Sequence, residues 1–181
     1  HGSATRWRGR NLVFMGVSGS GKSTLAALLA AHGGRYLGDD LVALLHPDHG
    51  IFPLPFAPSL KQGAWQVVAP HFPALAEGAA HRKDTLPLRF LADAPVVPGT
   101  DAGPPDLLVF PRFVRDGRPR AVRLSPLETL LELSRSGLWL APGAGDALID
   151  WACACPAIAL RHTADFDATQ SLLAEALGED G

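Results

Sequence analysis

Hydrophobic and polar positions follow two different patterns along the chain. An apolar run at residues 11–15 ends at Gly16 and predicts a buried strand, and the leucine- and alanine-rich residues 23–32 predict a helix that two glycines end. After Asp40, short apolar runs are broken by proline, glycine or aspartate about every ten residues, which favours a strand-rich layer over repeated βαβ units. These runs are "LVALLHP", "GIFPLP", "AWQVVA", "LPLRFL" and "DLLVFPRF".

Turn signals organise the middle of the chain. Asp116-Gly117 predicts a hairpin turn between strands at residues 107–114 and 120–124, because this dipeptide favours tight antiparallel turns. Residues 92–106 are rich in proline and glycine, so we expect a loop or a mobile flap there.

Helices are predicted again near the carboxyl end. Ser125 as N-cap, Pro126 at the first helical position and Glu128 form a capping-box pattern, and Gly137 predicts the end of that helix. Two further helices are predicted at residues 145–155 and 167–177, with a strand at residues 157–162 between them.

Composition limits the class of protein. A chain of 181 residues, 47% of them hydrophobic, is expected to fold as one domain over residues 1–181. Its net charge of −2 does not favour nucleic acid or an anionic membrane as a partner. No apolar run approaches the roughly 20 residues that cross a bilayer, and no signal-peptide pattern is present, so we expect a cytoplasmic protein. Cys153 and Cys155 are expected to pack as small apolar residues, without zinc or a disulfide.

The strongest chemical signal is the glycine-rich turn, residues 16–23, whose letters "GVSGSGKS" fit G-x-x-x-x-G-K-[ST] between a predicted strand and a predicted helix. Glycines let successive backbone N–H groups face an anion, and the helix N-terminus adds partial positive charge. The lysine is then expected at the β- and γ-phosphates and the following serine at Mg²⁺. The predicted ATP-binding residues are Gly16, Val17, Ser18, Gly19, Ser20, Gly21, Lys22, Ser23 and Thr24.

Two adjacent aspartates follow a short strand-like run. Adjacent residues on an extended chain face opposite ways, so one of Asp39 and Asp40 can serve Mg²⁺ while the other accepts the proton of an attacking hydroxyl. A solvated turn or a helix cap is the purely structural alternative.

These motifs resemble the HPr kinase/phosphorylase C-terminal catalytic domain family and its shorter HPr kinase-related proteins. The family has "H-x-S" before the strand, "G-x-S-G-x-G-K-S", and "A-D-D" or "S-D-D" after the helix; this chain has "HGS", "GVSGSGKS" and "GDD". The separations are similar too, with 15 positions from His1 to Gly16 and 18 from Lys22 to Asp40. The resemblance covers about the first 65 residues.

The resemblance implies a fold and a reaction. The implied fold is an α/β P-loop fold of the phosphoenolpyruvate-carboxykinase-like type, a mixed strand-rich sheet with the helix after the glycine-rich turn on one face and the carboxyl-terminal helices on the other. The implied activity is ATP- and Mg²⁺-dependent phosphorylation of a serine in a protein or peptide. Family members often form hexamers, so a homo-oligomer is expected.

The resemblance also implies roles for individual residues. Asp40 is expected to be the general base and His1 to orient the catalytic aspartate or the phosphate. Ser23 and Asp39 are expected to bind Mg²⁺. Lys61, in "SLK", is expected to reach the phosphates or the acceptor.

Other candidates depend on position alone. Four basic side chains, Arg112 among them, are candidates to bind phosphate. The alternative is that they are ordinary solvent-exposed surface residues. The other three are Arg82, Lys83 and Arg89. Glu77 is a candidate second metal carboxylate only by elimination.

Several alternatives stay open. "HGS" at a chain start is also typical of the remnant of a cleaved affinity tag. The glycine- and arginine-containing signature linked with the reverse, phosphorolytic reaction is missing, so that reaction is not implied. "FMGVSGSGKST" also resembles gluconate kinases, and a nucleotide-binding regulatory domain without transfer is a third hypothesis.

Overall fold

The computed structural model describes residues 1–45, 47–54, 56–83, 85–99, 102–140 and 142–179. In those ranges the strands are β1 (Gly2–Trp7), β2 (Arg10–Met15), β3 (Arg35–Gly38), β4 (Ala43–Leu44), β5 (Ile51–Phe52), β6 (Ser59–Lys61), β7 (His81–Lys83), β8 (Leu86–Phe90), β9 (Leu107–Phe113), β10 (Arg120–Arg123) and β11 (Ala157–His162). The helices are α1 (Lys22–Ala31), α2 (Gln62–Val68), α3 (Ala74–Glu77), α4 (Pro126–Arg135), α5 (Gly145–Ala154) and α6 (Phe166–Ala176). None of these helices has the length and apolar character needed to cross a membrane.

The main sheet has six strands in the order β10-β11-β9-β2-β1-β3. Strands β2, β9 and β11 are parallel neighbours, β1 is antiparallel to both β2 and β3, and β10 is antiparallel to β11. The expected mixed, strand-rich α/β architecture is confirmed at this level. Four parallel strands, β2, β3, β9 and β11, therefore end at one edge of the sheet, where β1 begins.

Both faces of this sheet carry apolar side chains, so a hydrophobic core lies on each side. In β2, Leu12 and Phe14 join the core under α1, α2 and α6, whereas Val13 and Met15 join the core under α4 and α5. The alternation follows from the two-residue period of a strand. The expectation that all carboxyl-terminal helices lie opposite α1 is wrong, since Leu173 of α6 packs in the same core as α1.

The middle of the chain forms two small additional sheets, β4-β5 and β6-β8-β7. The strand-rich prediction is confirmed there with one exception, because "AWQVVA" lies in and just after helix α2. Ala64 and Val68, four residues apart, are buried together, and Trp65 packs against the same core. This helical spacing of apolar residues outweighs the β propensity of the paired valines.

The predicted hairpin between β9 and β10 is wrong, although both strands exist. Strand β11 lies between them, so Arg161 is the register partner of Arg112 on one side and of Arg120 on the other. The Arg161 guanidinium donates to the Asp116 carbonyl, 3.1 Å away, which attaches the connecting turn to the inserted strand. A local turn signal cannot reveal a strand that enters the sheet about forty residues later.

The proline- and glycine-rich segment at residues 92–106 is a loop, as expected, apart from Thr100 and Asp101, which lie outside the described residues. Its backbone is bonded along β3. The Tyr36 N–H donates to the Pro95 carbonyl at 2.7 Å, and the Val97 N–H donates to the Tyr36 carbonyl at 2.8 Å. These bonds attach this part of the loop to the sheet edge and do not support a flap that closes over a ligand.

The carboxyl-terminal helices match their sequence signals closely. Helix α4 has Ser125 as N-cap with both hydrogen bonds of the capping box to Glu128. Of the two cysteines at the end of α5, Cys155 is buried as expected, and burial raises the pKa of its thiol to about 12. Cys153 is exposed, so the expectation of packing is wrong for that residue.

Candidate functional site

The candidate site lies at the sheet edge where the four parallel strands end. Strand β2 leads into the glycine-rich turn, and β3 leads into Asp39 and Asp40. Strands β9 and β11 end at the register partners Phe113 and His162. The amino end of β1 reaches the same edge, because Gly2 is the partner of the last residue of β2. Ligands of open α/β sheets commonly bind outside such carboxyl ends.

The glycine-rich turn has the backbone conformation that its sequence predicts. Gly16, Gly19 and Gly21 have φ values of 145°, 86° and 103°, in the region that favours glycine. Helix α1 begins at Lys22, and no side chain caps its first N–H groups. A helix start with uncapped N–H groups is a favourable place for an anion.

The Lys22 side chain folds back across this turn. Its Nζ donates to the Gly16 carbonyl at 2.7 Å and to the Val17 carbonyl at 3.0 Å. Burial lowers the pKa of this ammonium; Lys61 lowers it further, while Asp39 raises it. The protein therefore holds a partly desolvated cation inside the turn, which an anionic ligand would stabilise.

Asp39 is buried and accepts three hydrogen bonds. Its Oδ1 accepts from Ser3 Oγ at 2.5 Å and from Ser23 Oγ at 2.8 Å, and its Oδ2 accepts from the Ser59 N–H at 3.0 Å. Burial raises the pKa of this carboxyl, and the three hydrogen bonds oppose the shift. The two residues predicted to bind Mg²⁺, Ser23 and Asp39, thus lie side by side.

This pair fits the needs of Mg²⁺, a hard cation that takes oxygen ligands from one or two protein side chains and completes its shell with phosphate and water. The described residues contain no cluster of three or more His, Cys, Asp or Glu that could hold a metal alone. Glu77, the candidate second carboxylate, lies in α3 and is not part of the cavity lining described below.

Asp40 faces a different direction from Asp39, but not for the reason predicted. Its φ is 64°, so the chain is not extended there, and the expected strand-like alternation is wrong. The chain turns so tightly that a Cβ on Gly38 would lie 2.8 Å from the Leu41 carbonyl. The Asp40 side chain is 47% exposed, and its Oδ1 lies 3.7 Å from His1 Nε2.

The glycine-rich turn, Ser23 and Asp40 border one cavity of about 580 Å³. The polar part of its lining has three sources: the glycine-rich turn with the start of α1, the segments around β1, β3 and β6, and the end of β11. Its residues are Ser18, Gly19, Gly21, Lys22, Ser23, Thr24, His1, Ser3, Asp40, Ser59, Lys61, His162 and Thr163. The apolar part comes from α1, α2, β8, β9 and α6, namely Leu25, Leu28, Val67, Leu86, Leu88, Phe113 and Phe166. The Lys61 Nζ donates to Ser18 Oγ at 2.5 Å, so the turn and β6 meet across the cavity mouth.

The predicted arginine clamp is not assembled at this cavity. Arg112 is exposed on β9 and does not line the cavity, because its neighbour Phe113 does and adjacent strand residues face opposite ways. Arg89 donates to the Leu75 and Ala76 carbonyls, and its guanidinium lies 4.2 Å from the centre of the Trp65 ring. Of the other two candidates, Arg82 does not line the cavity, and the side chain of Lys83 lies outside the described part of the chain.

Sequence reasoning missed two residues of the site. The Ser59 backbone N–H holds Asp39, and His162 is buried against the glycine-rich turn. A histidine at the end of a predicted parallel strand is a weak signal, because such a strand brings it to the ligand edge only if the strand order is known.

A scan of the sequence against models of protein families finds no match, and a search of curated proteins finds none either. The function is therefore inferred from the residues of the site and from the motif resemblance.

Proposed function

We propose that the protein is an ATP-dependent kinase that transfers the γ-phosphoryl group to a hydroxyl, with a serine of a protein or peptide as the favoured acceptor. The proposal includes a phosphoenolpyruvate-carboxykinase-like P-loop fold and a relationship to the HPr kinase-related proteins. The observation that carries it is the convergence of the glycine-rich turn, the Ser23–Asp39 pair and Asp40 on one cavity.

The turn supplies the phosphate-binding groups in this proposal. The backbone N–H groups of residues 19–23 and the start of α1 bind phosphate oxygens, because positive φ at Gly19 and Gly21 lets the backbone approach an anion closely. On binding, the Lys22 ammonium replaces its hydrogen bonds to two neutral turn carbonyls with hydrogen bonds to phosphate oxygens. The new bonds are stronger because both partners are charged.

Ser23 and Asp39 are the residues that would hold Mg²⁺, and the ion would supply positive charge that offsets the charge of the nucleotide phosphates. Ser3 and the Ser59 N–H keep the Asp39 carboxylate in place through hydrogen bonds on both of its oxygens. Because these donors stabilise the ionised form, they oppose the effect of burial on the pKa of Asp39. The carboxylate is therefore presented to Ser23 in a fixed orientation.

Asp40 accepts the proton of the acceptor hydroxyl as that oxygen attacks the γ-phosphoryl in line. The O–H bond breaks, the proton passes to the Asp40 carboxylate, and the oxygen forms the bond to phosphorus while ADP leaves. His1, 3.7 Å from Asp40, orients the carboxylate, and Lys61 beside Ser18 stabilises negative charge on the transferred group.

A polypeptide acceptor is favoured over a small polyol by the surroundings of Asp40. The side chain is about half exposed, and its chain neighbour Leu41 is 55% exposed. An exposed apolar neighbour suits a peptide with an apolar flank better than a small polyol, which has no apolar side chain to pack there. The predicted homo-oligomer and cytoplasmic location remain predictions.

A labelled γ-phosphate transfer assay with Mg·ATP tests this proposal. Wild type and Asp40→Asn are compared on three acceptor pools: HPr, a library of peptides that end in serine, and polyols including gluconate. We expect label on serine, and a loss of transfer by roughly 10²–10⁴-fold in Asp40→Asn with nucleotide affinity nearly unchanged, as expected for a lost general base.

Each other outcome changes the proposal in a defined way. Label on gluconate alone would replace the proposed acceptor with a small metabolite. Nucleotide binding with no transfer to any pool would favour the regulatory domain. Unchanged transfer in Asp40→Asn would remove Asp40 from the chemistry even if serine is labelled.

A further inference from the structure

His162 is a buried histidine beside the glycine-rich turn, and the proposed transfer reaction does not use it. It ends β11 and is 3% exposed. Its Nε2 lies 2.9 Å from the Ser20 carbonyl oxygen, and the Phe113 N–H donates to the same oxygen at 3.2 Å. The Phe113 ring lies 5.4 Å from the imidazole, so strands β9 and β11 together hold one carbonyl of the turn.

The chemistry of this contact fixes the tautomer. A carbonyl oxygen only accepts hydrogen bonds, so Nε2 must carry a proton for the contact to be favourable. Burial lowers the pKa of the imidazole and so favours the neutral ring, while the backbone contacts with Ser20 and Thr163 raise the pKa. The interaction is therefore a directed N–H···O=C hydrogen bond.

The bond also orients the next N–H group. In a planar trans peptide, the carbonyl of one residue and the N–H of the next point in opposite directions. With the Ser20 carbonyl held toward β9 and β11, the Gly21 N–H points away from these strands. Gly21 has φ of 103°, and a Cβ there would overlap the His162 imidazole, so the two residues are matched in shape.

We propose that His162 is a positioning residue for phosphate binding: its hydrogen bond to Ser20 fixes the Ser20–Gly21 peptide so that the Gly21 N–H is already directed at a phosphate oxygen. The inference rests on the triphosphate-binding step of the proposed function and not on the transfer step. His162 does not touch the reacting atoms, so its loss weakens nucleotide binding and leaves the rate at saturation nearly unchanged.

Two substitutions separate the hydrogen bond from simple packing. In His162→Gln the side-chain amide N–H reaches the position of Nε2, whereas in His162→Asn it reaches only the position of Nδ1. The dissociation constants of Mg·ATP and of Mg-pyrophosphate, which lacks a nucleoside, are measured by calorimetry, and KM and kcat by the transfer assay. We expect roughly tenfold weaker binding of both ligands in His162→Asn, within threefold of wild type in His162→Gln, and kcat within twofold in both.

A second measurement does not require ligand or a folded variant. The ¹⁵N spectrum of the wild-type imidazole should show the neutral form protonated on Nε2. A proton on Nδ1 alone, equal affinities in the two variants, or no binding of Mg·ATP and Mg-pyrophosphate by wild type would each overturn the inference. If pyrophosphate binding follows the expected order but no acceptor is labelled, the kinase proposal fails and the role of His162 stands.

Discussion

The two parts of the cavity lining hold their side chains in different ways. In the polar part each key group has named partners: Lys22 is bonded to two carbonyls, and Ser3 and Ser23 both donate to the buried Asp39. In the apolar part, Val67 and Leu86 are partly exposed and are positioned by packing alone. The hydrogen-bonding groups of the polar part are therefore oriented before a ligand binds. The apolar part provides a surface of defined shape but no oriented hydrogen-bonding groups.

The largest expected loss of Mg·ATP affinity comes from adding a methyl group at Gly21, where the glycine-rich turn packs directly against His162. Gly21→Ala places a Cβ against His162 at a residue with positive φ, whereas Gly19→Ala has positive φ but no atom within 4 Å of the new Cβ. Backbone strain of about 1–2 kcal/mol applies to both variants. Gly21→Ala should lose more Mg·ATP affinity than Gly19→Ala, by about 100-fold or more relative to wild type, measured by calorimetry beside thermal unfolding.

Equal losses in these two glycine variants would show that the turn responds to backbone strain alone. The double variant Gly21→Ala/His162→Ala tests the contact from its other side, because removing the imidazole should recover part of the unfolding temperature.

The second prediction compares the loss of Mg·ATP affinity on replacing each of two lysines of the polar part. Lys22 is buried, so Lys22→Ala removes a desolvated cation and should leave the unfolding temperature of the free protein unchanged or slightly higher. The same variant should lose Mg·ATP affinity and turnover together, by about 100-fold. Lys61→Ala, an exposed cation that contacts Ser18, should lose less than tenfold. A larger loss in Lys61→Ala would assign the main phosphate contact to β6.

The sequence predicts the polar part much better than the apolar part. Residues 16–23 could be predicted because their conformation depends on local glycine and helix-start chemistry, and α4 because its cap is local. Strand β1 was missed, since its alternating side chains Ser3 and Thr5 are polar yet completely buried beneath the site. The Ser3 hydroxyl donates to Asp39, a partner that local sequence patterns do not reveal.

The role of His162 could not be predicted for a different reason. It depends on strand order: β11 lies beside β9, and β9 lies beside β2, which leads into the glycine-rich turn. The Asp-Gly turn at residues 116–117 is a local signal that indicates β10, not β11, as the neighbour of β9. Residues of the polar part that come from distant strands are therefore visible only in the fold.

A smaller effect is expected in the pH dependence of stability. Because the folded pKa of His162 is lowered, the unfolded chain binds its proton more readily, and stability falls as the pH drops below the unfolded value of about 6.5. The free energy of unfolding of wild type should therefore decrease relative to His162→Gln between pH 7 and pH 5, as measured by urea denaturation. Parallel pH profiles would mean that the imidazole is equally easy to protonate in both states.

The smallest effect tests whether the apolar part acts on the nucleoside and the polar part on phosphate. Val67→Ser makes the lining more polar at a side chain that is 41% exposed, and Val122→Ser makes the same change at a valine that is 45% exposed on β10, outside the cavity. Removing one or two apolar groups from a contact costs about 1 kcal/mol, so Val67→Ser should bind Mg·ATP several-fold more weakly.

Its affinity for Mg-pyrophosphate, measured by the same calorimetry, should equal that of Val122→Ser. If pyrophosphate affinity falls equally, the two parts of the lining do not act separately, because a change at Val67 then reaches the turn through α1 and α2.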